Sequence, residues 1–491
     1  MKLQHLVNKL EVFYKDISDL ENIIVKGIAD SSLSVKKDFV FVAINGFNLN
    51  GHKYIKDAVS NGACVIIGEE DITDSPVPYI KVKNSRKTLG TIAKIFHGNP
   101  SKGKLMIGIT GTNGKTTTSY LLKHILETNG LSCSMIGTVQ NVINGEILHD
   151  MNTTPSSLSL QELLSKSKDE VVIIEVSSHG LTQDRVEGLE FDFCLFTNLT
   201  HDHLDYHESM EEYFMAKALL FDKLKESGLA VVNTDDFWGK KMADMLKYKG
   251  KKGPYTIGQS KGSHVRILDY NFANSTLTVE ENNKLSYILS PMFGMHNMYN
   301  IAMAYVTATR LNIGKDDVLA SIYKFAGVDG RFEILPQNNG ATVVIDYAHT
   351  PDAISHCLKT AKLCGAKRLI HVFGFRGDRD PTKRQEMIEI TSELSDQYIL
   401  TLDDLNTVSH KEMIETLENL NNTFGNENGL VVSDRTLALE QALKRSTQGD
   451  WIVVTGKGHE KYQQKYYLPT GSDGETITYF ANQQSKSELL N

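Results

Sequence analysis

The sequence predicts an α/β protein of three domains, with a phosphate-binding loop opening the middle one. Three observations carry this. An apolar run, Lys104–Ile109, leads through a Gly-rich turn into a helical pattern. Two further apolar runs, Val171–Ile174 and Phe191–Phe196, end in polar or charged residues, as buried parallel strands do. From about residue 331 onward, apolar runs alternate with helical patterns, which is the signature of a doubly wound sheet. A chain of 491 residues has room for about three such domains at roughly 150 residues each.

Composition narrows the class. Hydrophobic residues make up 41% and charged residues 23%, which suits a globular protein in water. A net charge of −8 argues against general nucleic-acid binding but leaves room for a local basic pocket. The five cysteines are scattered without a CxxC pair, so reduced thiols in a cytoplasmic protein are expected rather than a disulfide frame or zinc site. The N-terminus, MKLQHLVNKLEVFYKD, is amphipathic and does not read as a signal peptide. No apolar run approaches the ~18 residues of a membrane span. Small-molecule substrates, no nucleic acid, no membrane insertion and a monomer are expected. The tail after Phe480 is expected to fray.

Taken in order, residues 1–101 form a first α/β domain. Phe39–Ile44 reads as a strand, Ile55–Asn61 as a helix and the run after Gly62 as another strand; the turn Asn99-Pro100-Ser101 is a natural boundary. The second domain, 102–330, begins with the turn. Gly108, Gly111 and Gly114 let backbone N–H groups close around an oxyanion, and the helix N-terminus adds unpaired donors and a positive dipole end. Gly111, Thr112, Asn113, Gly114, Lys115, Thr116 and Thr117 would thus cradle ATP or GTP. Lys115 would reach the terminal phosphates, and Thr116 or Thr117 would help hold Mg²⁺. The spacing departs from the usual loop: the position of its first Gly holds Ile109, with Gly108 one residue further out.

Glu175 sits at the C-terminal tip of its strand, the edge at which ligands of open parallel sheets bind, and is well placed for the nucleotide's Mg²⁺. After Phe196 comes TNLTHDHLDYH, with His203 the best metal-ligand candidate and a hydrogen-bonded loop histidine the alternative. There is no zinc spacing. Lys217, in the helical stretch Met210–Leu224, reads by itself as a surface lysine. Residues 251–290 read as strands and turns. Asn297 and Asn300 would share a helix face, where their amides suit base recognition; N-capping is the other reading of Asn297.

The third domain, 331–491, alternates cleanly. Thr342–Ile345 ends in DYAHTP, Arg368–Phe373 in a stretch containing Arg376-Gly377-Asp378-Arg379-Asp380, Tyr398–Leu402 in Asp403-Asp404, and Trp451–Thr455 in GKGHE. All four polar clusters fall at strand C-termini, the one edge where a ligand of such a sheet should bind.

These stretches resemble the Mur ligases, ATP-dependent enzymes that build the peptidoglycan stem peptide. TGTNGKTT, EVSSHGLTQDRVEG, TNLTHDHLDYH, VDGRFE, DYAHTPDAI, GDRD and GKGHE occur in the family's order over nearly the whole chain, and are most similar to those of members that add the third amino acid to UDP-MurNAc-L-Ala-D-Glu. The resemblance implies a three-domain Mur ligase architecture: an N-terminal UDP-substrate-binding domain, a central ATPase-like domain and a C-terminal Rossmann-like domain. It implies that Lys115 and its loop bind the phosphates of ATP, that Thr116, Glu175 and His203 hold Mg²⁺, and that Lys217 matches the lysine which members carbamylate, a further metal ligand. It assigns Asn297 and Asn300 to the adenine side, and Arg331 and Asp346 to the nucleotide. Thr153, Thr154, Ser177, Gln183 and Arg185, with Ser31 near the uridine, match contacts to the acceptor. Arg379, Asp403, Asn406, Gly456 and Glu460 match the pocket of the incoming amino acid.

Three departures stand out. Where diaminopimelate-adding members carry Asp-Asn-Pro-Arg, this chain has Asp403-Asp404-Leu405-Asn406, so the Arg that would grip a distal carboxylate is absent. The acids Asp403, Asp404 and Glu460 would suit a side-chain cation, which favours L-lysine or another diamine over meso-diaminopimelate. The family's Asp-Ser-Arg and Asp-Gly-His read Asp30-Ser31-Ser32 and Asn50-Gly51-His52, and Phe375-Arg376 replace small residues beside the amino-acid pocket. A paralogue with another carboxylate acceptor or amine is the alternative reading. A phosphate-loop NTPase switch is a more distant one, because it leaves the C-terminal clusters unexplained.

Overall fold

The computed structural model describes residues 1–8, 10, 12–15, 22–46, 49–148, 152–248, 253–272 and 274–488. The chain forms two compact units: Met1–Thr110, Gly130–Leu195 and Met215–Ala230 make the first, and Gly111–Asn129, Phe196–Phe214 and Val231–Asn491 the second.

The first unit holds a five-stranded sheet in the order Val12–Lys15, Tyr79–Val82, Ala63–Gly68, Phe39–Val42, Gly27–Ala29. Only the outer strand Val12–Lys15 runs antiparallel to its neighbour. Side chains of a strand alternate between faces, so Val40 and Val42 join one core cluster with Leu89 and Ile92, and Phe41 joins the other with Ala58. Leu89 and Ile92 come from the helix Ser85–Phe96, which starts where the Asn84 side chain accepts from the Lys87 N–H at 3.0 Å. In the same unit Val171–Glu175 lies between Leu105–Thr110 and Cys133–Ile136, all parallel. All five residues of Val171–Glu175 are buried, which is why the run is apolar throughout and why an acid at its tip is notable.

In the second unit the helix Lys115–Thr128 packs against the helix Met295–Arg310. The strands Tyr255–Gly258 and Val265–Asn271 pair in parallel, and Thr276–Glu281 and Lys284–Leu289 add antiparallel neighbours. A six-stranded sheet follows in the order Glu333–Pro336, Thr342–Ile345, Asp450–Val454, Arg368–Phe375, Gln397–Leu402, Gly429–Val431. It is parallel apart from the edge strand Glu333–Pro336, whose terminal Pro cannot feed a central ladder. That edge strand precedes the first strand expected from the sequence. Thr350 caps the helix Pro351–Leu363, with Pro351 in the first turn, so the chain turns sharply after the strand Thr342–Ile345 and leaves Asp346–His349 on the sheet's C-terminal edge.

The helix Asp473–Glu488 extends past Phe480, with Ile477 and Phe480 in the core and Asp473 on the buried Arg435. Residues 489–491 lie outside the described ones. Among the described residues no helix is long and apolar enough to cross a membrane.

Candidate active site

The phosphate loop keeps its glycines for two local reasons. Gly114, which caps the helix Lys115–Thr128, has φ +85°, and a Cβ there would lie 2.2 Å from Asn300 Oδ1; at Gly111 (φ +149°) it would lie 1.9 Å from Thr197 Oγ1. The loop is buttressed by the segment after Phe196. Thr112 N–H donates to the Asn198 carbonyl at 3.0 Å, Asn113 N–H to Asn198 Oδ1 at 2.9 Å, and Thr197 Oγ1 to the Asn113 carbonyl at 2.6 Å. Lys115 Nζ folds back onto the carbonyls of Gly111 and Thr112, at 2.9 Å each.

A cleft of about 360 Å³ opens over this loop. Asn113, Gly114, Thr117, His296, Asn300, Arg331, Asp346 and Tyr347 line it, so the loop and the start of the C-terminal sheet share one pocket. Arg331 Nη2 reaches Thr116 Oγ1 at 3.4 Å, and its guanidinium lies 4.4 Å from the centre of the Tyr347 ring. The Asp346 carboxylate is committed to backbone: it accepts from Phe332 N–H and Ala348 N–H at 2.7 Å each, tying the two strands that frame the cleft. The N-capping reading of Asn297 is overturned. The helix begins at Met295 with Gly294 as its cap, and Asn297 lies inside it, donating to the Phe293 carbonyl at 2.8 Å and accepting from Asn300 Nδ2 at 3.1 Å. Burial pushes His296 down to about 4, so this residue, which the sequence did not single out, faces the cleft uncharged at neutral pH.

A second, smaller cleft of about 110 Å³ lies at the C-terminal edge of the same sheet. His203, Tyr347, His349, Arg376, Arg379 and Asp403 are among its lining residues, and Tyr347 and His349 line both clefts. His203 sits in left-handed backbone (φ +56°), with its Nε2 3.5 Å from Asp202. Burial opposes ionisation of Asp202, yet the hydrogen bond from His349 and the charges of His203, His349 and Lys383 hold its carboxyl well below the usual range. At φ +52° Asn406 takes a turn that Asn tolerates, and its amide donates to the Gly377 carbonyl at 2.7 Å.

The three acids that the sequence offered to a side-chain cation, Asp403, Asp404 and Glu460, each have a protein cation beside them. Lys457 is buried and donates to Asp404 at 2.6 Å and to Asp403 at 3.3 Å. Arg376 pairs with Glu460, donates to the Gly456 carbonyl at 3.3 Å and has its Nε 3.8 Å from Asp403. Burial would raise Asp403, but Arg435, Arg376 and Lys457 together hold its carboxyl below the ordinary value. Lys457 and Tyr347 were visible only as members of GKGHE and DYAHTP; which acids they meet depends on residues more than fifty positions away.

In the first unit the residues matched to the acceptor form one connected group. Thr154 Oγ1 donates to the Glu175 carbonyl at 2.8 Å and accepts from Ser177 N–H at 3.0 Å. Arg185 donates to the Thr154 carbonyl at 2.6 Å and to Gln183 Oε1 at 2.9 Å. Thr138 Oγ1 donates to the Glu175 carboxylate at 3.0 Å and lies 3.2 Å from Thr153 Oγ1, whose hydroxyl can donate to it. Ser31 is apart from this group, exposed in the turn before Ser32–Ser34. Lys217 is not a surface lysine: it is 1% exposed on the helix Met210–Asp222. Among the described residues no three His, Cys, Asp or Glu side chains gather as a metal site. The oxygen donors Thr116 and Glu175 are of the kind a hard cation such as Mg²⁺ takes.

This fold and cleft define an α/β phosphate-loop protein that binds a nucleotide beside a second pocket. Three family profiles match: "Mur ligase family, catalytic domain" over residues 25–97, "Mur ligase middle domain" over 109–308, and "Mur ligase, glutamate ligase domain" over 330–458. The chain belongs to the Mur ligase family and is an ATP-dependent ligase. It is 39% identical to a UDP-N-acetylmuramoyl-L-alanyl-D-glutamate–2,6-diaminopimelate ligase of Clostridium botulinum over 94% of this chain and 95% of that one. It is 37% identical to the enzyme of the same name from Fusobacterium nucleatum, over 89% of each. A solved structure bearing that enzyme name superposes with TM-score 0.69 at 26% identity over 99% of both chains. The MurF ligase of Thermotoga maritima in complex with ADP shares the fold, with TM-score 0.64 at 20% identity over 88% of this chain and 94% of that one.

Proposed function

We propose that this ligase joins an amino acid to UDP-MurNAc-L-Ala-D-Glu at the expense of ATP. The observation that carries this is the connected Thr153, Thr154, Ser177, Gln183 and Arg185 group in the first unit, which the resemblance assigns to that acceptor; the nucleotide cleft of the second unit, with Arg331 on Thr116, supports the use of ATP. The names of the similar relatives support the same acceptor. The amine is an amino acid. The relatives' diaminopimelate does not carry over unchanged, since position 406 holds Asn where the resemblance leads one to expect an Arg that grips a carboxylate. L-lysine loses its main support because the acids that favoured it are already paired.

The reaction follows from the parts. The acceptor carboxylate attacks the γ-phosphate, giving an acyl phosphate and ADP; the amine then attacks the acyl carbon and phosphate leaves. Lys115, swinging from its loop carbonyls to the terminal phosphates, and the N-terminus of the helix Lys115–Thr128 would offset charge on the transferring phosphoryl group. Arg331 would add a second cation from the C-terminal side of the cleft. Asn297 and Asn300 would stand on the adenine side. Bound Mg²⁺ would neutralise phosphate charge; the residues that the resemblance names to hold it are Thr116, Glu175, His203 and, if carbamylated, Lys217.

The test is phosphate release with ATP, Mg²⁺, the acceptor and a panel of amino acids. Turnover should need both acceptor and amine, and Lys115→Ala should abolish it with the fold intact. Hydrolysis indifferent to both would overturn the acceptor and the amine proposed here.

A further inference from the structure

We propose that Arg376 is a built-in substitute for a substrate cation, so that the amino acid accepted here carries no second ammonium at its far end. The inference rests on the ligase reading and names the class of its amine.

Gly456 and Glu460, with Asp403 beside them, present two carboxylates and a carbonyl to one small space. All three acceptors face the same guanidinium. Arg376 follows the strand Arg368–Phe375, pairs with Glu460, donates to the Gly456 carbonyl at 3.3 Å and approaches Asp403 at 3.8 Å. Its charge rests 5.4 Å from the centre of the Tyr347 ring, which Arg331 also approaches, at 4.4 Å. Lys457 takes the remaining acid, Asp404, at 2.6 Å. Asp403, Asp404 and Glu460 therefore each have a protein cation already.

A substrate ammonium entering the space between Gly456, Glu460 and Asp403 meets no acid that lacks a protein cation. It would have to displace a guanidinium that is planar and weakly hydrated, while giving up its own strongly held water. A side chain ending in a methyl or a carboxylate avoids that cost. The sequence change that does this is the arrival of a long cation at position 376, where the resemblance leads one to expect a small residue.

Matched amines separate the idea from its rivals. L-Norleucine is L-lysine without the far ammonium, and L-2-aminopimelate is diaminopimelate without it. In phosphate release with ATP and UDP-MurNAc-L-Ala-D-Glu, the mono-ammonium member of each pair should lead in kcat/KM by about tenfold or more. Arg376→Ala should shift both ratios toward the diamine by at least about tenfold, whereas Arg376→Lys, which keeps a cation, should shift them far less. Should Arg376→Ala be inactive with every amine, the wild-type ratios still decide. A wild-type preference for L-lysine or meso-diaminopimelate over its partner overturns this inference and leaves the ligase standing. No amine-dependent turnover at all overturns the ligase reading, and this inference with it.

Discussion

Arg435→Met tests the packing beneath the amine cleft. Arg435 and Asp473 are both fully buried. Two guanidinium nitrogens donate to the two carboxylate oxygens at 2.7 Å each, and Nη2 also donates to the carbonyl of Thr455, the residue before Gly456, at 3.0 Å. Methionine keeps much of the stem and removes every donor. Asp473 then keeps the Tyr462 hydroxyl at 2.8 Å but has lost its cation. Breaking one side of such a buried pair costs about 3–5 kcal/mol. The chain has two tryptophans, and Trp451 pairs with Leu369 inside the C-terminal sheet. In a Trp238→Phe background its fluorescence follows that sheet alone. With a urea dependence of about 2 kcal/mol per molar, the midpoint should fall by about 2 M. Arg435→Met with Asp473→Leu removes both charges and should recover most of the loss, because the penalty lies in the unpaired acid. A fall of less than about 0.5 M in the single variant, or a double variant no better than the single, would refute the reasoning.

Two further outcomes are expected. Gly114→Ala forces a Cβ toward Asn300 Oδ1 in left-handed backbone, so nucleotide affinity measured by calorimetry should drop at least about tenfold while the helix Lys115–Thr128 persists; unchanged affinity would remove the steric account of the loop. Asp403, depressed by its cations against the pull of burial, contributes stability that is present above the unfolded carboxyl value of about 3.9 and lost as pH falls through its lower folded value. The stability gap between wild type and Asp403→Asn, read from urea midpoints, should therefore be widest near neutrality and close below about pH 4; a gap that is flat with pH would contradict it.

The features legible in the sequence are those made by neighbours in the chain. Val171–Glu175 reads as a buried strand because both its faces are covered, and the Gly-rich turn reads as a phosphate loop because its geometry is carried by consecutive backbone groups. The same holds for the polar clusters at strand ends, since parallel strands put their C-termini on one edge whatever lies between them. Lys217 misled as a surface lysine because one residue on a helix says nothing of what covers it. Asn297 was ambiguous because its role depended on where the helix begins.

The sequence by itself determined the family, the phosphate loop and the edge of the sheet on which the chemistry is set, all properties of local pattern. Only the tertiary structure decided which charges cancel. Arg376 meets Glu460 across 84 positions and Lys457 meets Asp404 across 53, so the acids that looked open to a substrate are closed by the protein's own cations. Coulomb attraction and the cost of losing water act through distance in space and burial, and neither is written in the order of residues.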